Sequence, residues 1–460
     1  MTKTAPWAPW AWAESANQTD HRPQGTGILW GLMNAPFRFV HTADLHLDSP
    51  LKSLARRDAD LAEHVENATR QALVRTIDLC IEENVHALLI AGDIYDNQHP
   101  SVATVGFFQR QLARLIAPGI RVYLIRGNHD TKLSPTQELP ENVVEFMGNK
   151  KSDLLKSAGV LVHGVSFKES HATESALHSF KAPDEKYLNI ALLHTSLGGS
   201  EGHDVYAPCS VAELDSLGFN YWALGHIHKR EVAGKDSTIV MPGNPQGRHM
   251  GETGPKTVSL VTLTHNDCEI QERVVGPVRF ERMPIALTWD QEQIQSPSLS
   301  LKQLKQQFMD AALALKSGSP AIDRWIIRLE VSGDPKTLYY LKSDEEDTLE
   351  TIKLCAEELH NVHIDKITYR ATATDKHLGS SDHDVIHQLR AVVMNNLDDD
   401  HLASISEKEF DDLVKFLPTK ALKDQLQDTP EKRLSSIQAF QREGAEELLS
   451  MIQLDRGDDE

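Results

Sequence analysis

The 460-residue sequence predicts an α/β protein: a sandwich of two stacked sheets with helices outside both (αββα), then a smaller α/β domain, then a helical C-terminal region. Three observations predict it. Short apolar runs stop at a glycine or a polar residue, as buried strands of α/β sheets do. Segments with apolar residues three and four apart separate those runs, as crossover helices require. After about residue 230 the rhythm changes to closely spaced short strands.

Residues 1–35 hold Trp7, Trp10, Trp12 and Trp30 among Ala, Pro, Gly and Gln without helical or strand period. They are expected to be a disordered extension, with Met33 as a candidate natural start. The first strand, Phe37-Arg38-Phe39-Val40-His41, leads into Asp44-Leu45-His46. Helical spacing over 58–84 returns the chain to Ala87-Leu88-Leu89-Ile90-Ala91, which stops at Gly92-Asp93. A helix over 102–116 ends at Pro118-Gly119 and precedes Arg121-Val122-Tyr123-Leu124-Ile125, followed by Gly127-Asn128-His129-Asp130. A strand over 159–167 and another ending at His194 come next. A helix over 211–217 then leads to Tyr221-Trp222-Ala223-Leu224 and to Gly225-His226-Ile227-His228.

The strands at 238–241, 257–263 and 268–275 predict that the second sheet is largely antiparallel and packs on the first. The domains expected are 1–35 (extension), 36–277 (catalytic), 278–372 (small α/β domain) and 373–460 (acidic and helical).

Cys80, Cys209, Cys268 and Cys355 have no paired spacing, so no disulfide framework or zinc knuckle is indicated and a cytoplasmic compartment is expected. No apolar stretch is long enough to cross a bilayer, so no membrane partner is expected. The net charge of −20 argues against simple adhesion to nucleic acid. Residues 381–460 hold 9 Lys and Arg against 19 Asp and Glu, half of that excess, so the rest of the surface is less hostile to phosphate.

Five strand ends carry Asp, His or Asn, side chains that bind divalent metals through hard oxygen or imidazole nitrogen. Sheets of this kind place ligands beyond the carboxyl ends of their strands. Two adjacent divalent ions can activate water and stabilise the charge of a displacement at phosphorus, given one carboxylate that touches both. Asp93 is the candidate bridge. On an extended tip, residues two apart point the same way, which pairs Asp44 with His46 and His226 with His228. Asn128 and His194 complete the second ion, and His226 and His228 are divided between the two. His129 would then face the scissile phosphate and protonate a leaving oxygen, with Asp96 orienting and charging it. His163, His203 and His249 are expected to be ordinary surface or core residues.

At His41-Thr42-Ala43-Asp44-Leu45-His46-Leu47-Asp48, Ala91-Gly92-Asp93-Ile94-Tyr95-Asp96, Gly127-Asn128-His129-Asp130, Leu193-His194-Thr195 and Ala223-Leu224-Gly225-His226-Ile227-His228-Lys229-Arg230, the chain resembles the calcineurin-like metallophosphoesterases. Within them it is similar to the SbcD-type DNA repair nucleases and the bacterial YhaO-like exonuclease proteins, as Pro242-Gly243-Asn244-Pro245-Gln246-Gly247-Arg248-His249 also suggests. The resemblance covers roughly residues 36–275, and 278–372 loosely, as a capping domain.

It implies two divalent ions, usually Mn2+, one on Asp44, His46, Asp93 and His228 and the other on Asp93, Asn128, His194 and His226. It implies a phosphate-contacting role for His129, 3′ to 5′ exonuclease and single-strand endonuclease activity on DNA, and an SMC-type ATPase partner (SbcC-like or YhaN-like), with a homodimer possible. Arg126, Lys229, Arg230, Arg248 and Lys256 are the cations expected near the site for phosphate contacts. A phosphodiesterase or phosphatase acting on RNA or small molecules, and a mainly scaffolding subunit, are the competing expectations.

Overall fold

A computed structural model of the chain describes residues 35–49, 67–96, 99–131, 139–167, 174–198, 206–288, 296–319 and 321–371, with scattered positions between 410 and 444. The tryptophan-bearing N-terminal stretch, His203, the first part of the expected 58–84 helix and most of the C-terminal region lie outside the described residues.

Strand β1 (Phe37–Thr42), helix α1 (Ala68–Glu82), β2 (Ala87–Ala91), α2 (Val102–Ala113) and β3 (Arg121–Ile125) give the expected strand–helix alternation. Ser101 opens α2 by accepting a hydrogen bond from the Thr104 amide, which satisfies one of the donors left free at a helix start. The chain continues through β4 (Val143–Glu145), β5 (Ser152–Leu155), β6 (Val160–Val165), β7 (Leu188–His194), α3 (Val211–Ser216) and β8 (Tyr221–Gly225). Strands β9 (Glu231–Ala233), β10 (Thr238–Met241), β11 (Thr257–Leu263) and β12 (Cys268–Val274) follow.

These strands form two six-stranded sheets, ordered β12-β11-β1-β2-β3-β4 and β5-β6-β7-β8-β10-β9. The two-sheet α/β sandwich is as the sequence predicts, but the allotment of strands differs. The second sheet is built on β6, β7, β8 and β10, all parallel, with antiparallel strands only at its edges. The late strands are shared out: β10 joins the second sheet, whereas β11 and β12 extend the first, antiparallel beside β1. The physical reason is that β1, β8, β10 and β11 are buried on both faces, so their apolar runs look alike and carry no signal of which neighbour they pair with.

Four layers result. Leu73, Ile77, Phe108 and Leu112 of the helices pack on Val40, Leu88, Ile90 and Val122 of the first sheet. Phe39, Leu89 and Tyr123 meet Ile190, Leu192 and Tyr221 between the sheets. Leu214 and Phe219 cover Leu193, Trp222 and Leu224 on the outer side of the second. Buried between the sheets, His41 ties them together: its Nδ1 lies 3.0 Å from the Tyr221 hydroxyl and its Nε2 lies 3.1 Å from the Leu224 carbonyl. The carbonyl can only accept, so Nε2 carries the proton and Nδ1 accepts from Tyr221. Burial pushes the His41 pKa down to about 3.

Strand β13 (Val278–Ala286), α4 (Pro297–Ser317), β14 (Arg324–Gly333), α5 (Pro335–Ser343), α6 (Glu345–Glu357) and β15 (Val362–Ala371) form a three-stranded parallel sheet covered on one face by its helices. Gln246, in the loop after β10, joins it to the sandwich by bonding both the carbonyl and the amide of Val278. Arg75 of α1 adds an ion pair, its Nη2 donating to both carboxylate oxygens of Asp323. Further on, Phe410, Val414 and Ile437 pack on one another. The four cysteines are unpaired. Among the described residues, no helix is long and apolar enough to cross a membrane.

Candidate metal centre

The loops after β1, β2, β3, β7 and β8 converge at one end of the sandwich. Amides of Asp44, His46 and Leu47 donate to carbonyls of Gly92, Asp93 and Ile94, so the first two loops run side by side. The buried Asp130 carboxylate accepts from the amides of Ile94, Tyr95 and Gly127 and so pins the second loop to the third. Burial and the neighbouring Asp93 raise the pKa of Asp130 to about 7, against the pull of those amides.

Close approach requires glycine at two tips. A methyl group at Gly127 would sit 2.2 Å from Asp93 Oδ1, and one at Gly225 would sit 2.1 Å from the Ala91 carbonyl. The tips are not extended. Asp44, His46, Asp93 and His226 have φ of 53°, 41°, 50° and 104°, a left-handed region that side-chain-bearing residues seldom adopt and that clusters at functional sites. Pairing of Asp44 with His46 therefore comes from a coiled backbone, not from strand alternation.

Three groups result, each with ligand atoms within 4.8 Å of one another: Asp44, His46 and His228; His46, Asp93 and His129; Asp93, His194 and His226. The Nε2 atoms of His46 and His228 are 3.1 Å apart. His194 Nε2 lies 3.3 Å from Asp93 Oδ2 and 3.0 Å from Asn128 Oδ1. His226 Nδ1 is 3.3 Å from the same Asn128 oxygen. All seven residues expected to be ligands thus gather in one place. Two buried carboxylates, an amide oxygen and four imidazoles aimed at common points are a donor set that fits divalent ions. Asp93 and His46 each belong to two of the three groups, and of the two only Asp93 is a carboxylate able to offer one oxygen to each of two ions.

Charge follows this geometry. Burial and then Arg248 hold the His46 pKa well below the usual value. Burial also opposes protonation of His194, but Asp93 and Asp44 outweigh it and raise its pKa to about 9. Burial works against the Asp93 carboxylate as well, yet His194 and His46 hold its pKa far below the ordinary range. His194 must release its proton when the imidazole takes a metal.

His129 donates its amide to Asp93 Oδ1 at 2.9 Å, and its Nδ1 lies 2.8 Å from the backbone carbonyl of Asp96. Asp96 therefore orients His129 through its main chain, not through its carboxylate. That carboxylate faces Arg248 at 3.2 Å and His46 Nδ1 at 3.6 Å. The expected phosphate cations also separate. Arg126 is buried against Glu145 at 2.5 Å, and Arg230 is tied to Ser259 and Glu272, so both are neutralised on the protein. Lys256 is buried, with its pKa lowered first by that burial. Lys229 is exposed, and Arg248 lies within the site. His163 is buried against Asn189 and Phe219, and His249 is exposed, so neither belongs to the centre.

Three residues escaped the sequence. Asp130 stands in a recognised motif but gives no sign of its three amide bonds. Tyr206 stacks on the His226 ring at 5.6 Å. Glu252 Oε1 lies 2.7 Å from His228 Nδ1. Glu252 and Tyr206 stand outside the motifs, and no spacing marks either.

Residues 37–230 match the calcineurin-like phosphoesterase family. Over those residues the chain carries a calcineurin-like metallophosphoesterase domain. It is 34% identical over 258 residues to the uncharacterized metallophosphoesterase YhaO of Bacillus subtilis, covering 54% of this chain and 63% of that one. It is 25% identical over 231 residues to the DNA double-strand break repair protein Mre11 of Methanopyrus kandleri, covering 45% and 49%. With Mre11 of Methanocaldococcus jannaschii the identity is 25% over 250 residues, covering 51% and 64%. The chain spans less than two thirds of the length of each of these relatives.

Proposed function

We propose that the chain is a two-metal phosphodiesterase that cuts DNA, a 3′ to 5′ exonuclease with single-strand endonuclease activity that uses manganese. The convergence of Asp44, His46, Asp93, Asn128, His194, His226 and His228 at five strand tips carries this reading. DNA as the substrate is supported by relatives named as break-repair proteins.

One ion would be held by Asp44, His46, Asp93 and His228, the other by Asp93, Asn128, His194 and His226. When bound, the ions supply Lewis acidity and neutralise charge developing at phosphorus. His129 donates from Nδ1 to the Asp96 carbonyl, so its Nε2 is the atom free to carry a proton to the leaving oxygen. Lys229, exposed and next to His228 in the chain, would steady a substrate phosphate. The catalytic unit is 36–277 and the unit at 278–372 caps it, in a cytoplasmic protein. Residues 373–460 dock an SMC-type ATPase, for which the exposed Leu434, beside the buried Ile437, offers apolar surface. A chain ending at Ala373 would then retain metal and lose copurification with that ATPase.

Labelled single- and double-stranded DNA with Mn2+, set against bis-p-nitrophenyl phosphate and nucleotides, tests the substrate. DNA cleavage from 3′ ends is the expected result. A preference for small esters by orders of magnitude would favour the second reading, a small-molecule or RNA phosphoesterase. The net charge of −20 and the internal pairing of Arg126 and Arg230 speak for that alternative.

A further inference from the structure

At the centre, His228 is hydrogen-bonded to one carboxylate and His46 faces another, and one arginine joins those carboxylates. His228 Nδ1 lies 2.7 Å from Glu252 Oε1. His46 Nδ1 lies 3.6 Å from Asp96 Oδ1, too far for a hydrogen bond, and it is buried with no hydrogen-bond partner among the described residues. Arg248 stands between them, with Nη1 3.2 Å from Asp96 Oδ1 and Nη2 3.1 Å from Glu252 Oε1. On the far side the two imidazoles meet, Nε2 to Nε2, at 3.1 Å. His46, Asp96, Arg248, Glu252 and His228 thus close a ring around one edge of the centre.

The chemistry of Glu252 decides the tautomer of His228. Its other oxygen, Oε2, already accepts from the Arg248 amide at 2.7 Å and from Asn244 Nδ2 at 2.9 Å. A carboxylate so engaged only accepts, so His228 Nδ1 must donate and Nε2 keeps its lone pair facing His46. The 3.1 Å contact between Arg248 Nη2 and His228 Nδ1 is then a packing contact between two donors. The other pole is held differently. His194 Nδ1 faces the Ala91 carbonyl at 2.9 Å, and His226 leans on Tyr206 and Asn128. Among the described contacts, neither Glu252 nor Arg248 reaches that pole.

We propose that Glu252 and Arg248 are positioning residues for one of the two ions only, the one at Asp44, His46 and His228. Glu252 fixes His228 with Nε2 toward the ion, and Arg248 holds Asp96 behind His46. The inference rests on the two-metal reading above. Partners of this kind behind ligating histidines typically tune affinity by about 10–100-fold.

The test is Mn2+ binding to the full chain, by calorimetry and by the electron paramagnetic resonance of the bound ion. The wild type is expected to bind two ions. In Glu252→Gln, which keeps the shape and removes the charge, one affinity should fall by about 10–100-fold while the other stays within about 3-fold. Arg248→Met should weaken the same ion by a smaller factor, and circular dichroism establishes that each variant is folded. Equal weakening of both ions, or a lowered thermal midpoint with both affinities unchanged, would overturn the assignment and leave the two-metal reading standing. A wild-type chain that binds no divalent ion would overturn both.

Discussion

The two-sheet sandwich and the three-stranded sheet after it are both strands joined by crossover helices, yet they bury different things. The sandwich encloses Asp44, His46, Asp93, Asp130 and His194 at its strand tips, and His41 between its sheets. Among the described residues, the helices and strands after Phe280 bury only neutral polar side chains, Ser300, Thr337 and Thr348. Their charges are paired, at the surface in Arg282–Glu330 and half-buried in Arg328–Asp365. Left-handed backbone divides the same way: Asp44, His46, Asp48, Asp93 and His226 on one side, His360 on the other. Burying charge is costly unless it is paired. One unit accepts that cost, with most of the left-handed backbone, at its strand tips; the other buries no charge among the described residues and has the makeup of a support.

The largest expected effect breaks the sandwich side of that contrast. Asp93→Ala removes the carboxylate shared by two ligand groups and the acceptor of the His129 amide. Phosphodiester hydrolysis should fall by roughly 10³-fold or more, with loss of bound metal. His129→Ala should lose comparable activity and keep its metal, which elemental analysis of the two purified variants distinguishes. Equal metal loss in both would make His129 a structural residue.

On the other side, Trp325→Ala empties the core of the three-stranded sheet. Trp325 is 1% exposed, and the Arg279 guanidinium lies over its ring. A loss of about 3–5 kcal/mol in denaturant unfolding is expected, in a transition separate from that of the sandwich if the two units unfold independently. Metal affinity of the folded protein should not change. A change would mean that the Gln246 loop transmits packing from one unit to the centre.

A smaller effect follows from His41. Its pKa in the folded chain, about 3, lies below the usual 6.5, so the unfolded chain binds the extra proton between those values. Its contribution is therefore complete above pH 6.5 and is lost as pH falls toward 3, roughly 4–5 kcal/mol in all. His41→Gln keeps a donor and an acceptor without the titration. The difference in unfolding free energy between wild type and variant should change with pH over that window; a constant difference would show that His41 does not titrate.

Legibility followed the range of the interaction. The strand tips and their Asp, Asn and His residues are local patterns, so β1, β2, β3, β7, β8 and all seven candidate ligands were readable from the chain alone. Strand pairing is not local, and β11 looks the same beside β1 as it would in the other sheet. Side-chain direction is no more local than pairing: Arg126 follows Ile125 at a strand tip but turns inward to Glu145. The Asp96 carboxylate points to Arg248, 152 residues away, and Glu252 meets His228 only through a loop fixed by Asn244 and Gln246. Left-handed backbone at Asp44 and Asp93 was hidden because only the packing of neighbouring tips requires it.

The smallest predicted effect tests whether the three-stranded sheet is only a support. Arg282 pairs with Glu330 at 2.9 Å, with side chains 47% and 41% exposed, and its second contact, to the Met250 carbonyl, is a long 3.4 Å. Exposed pairs of this kind contribute about 0–1 kcal/mol, because water screens them and ordering two long side chains costs entropy. Arg282→Ala should therefore alter the unfolding free energy by less than about 1 kcal/mol and leave hydrolysis of a small phosphodiester unchanged. The same variant assayed on DNA sharpens the point. Arg282 is in register with Arg328, and Arg328 with Lys366, so three cations cross the sheet in one row. If the row is merely solvated, DNA cleavage will also be unchanged and will keep the salt dependence of the wild type. If DNA cleavage falls while the small ester is still hydrolysed, the row contacts phosphates, and the slope of binding against salt should drop by about one unit for each lost contact. In that case the sheet without buried charge would be a second working surface, and burial of charge would mark where bonds are broken, not where substrate is held.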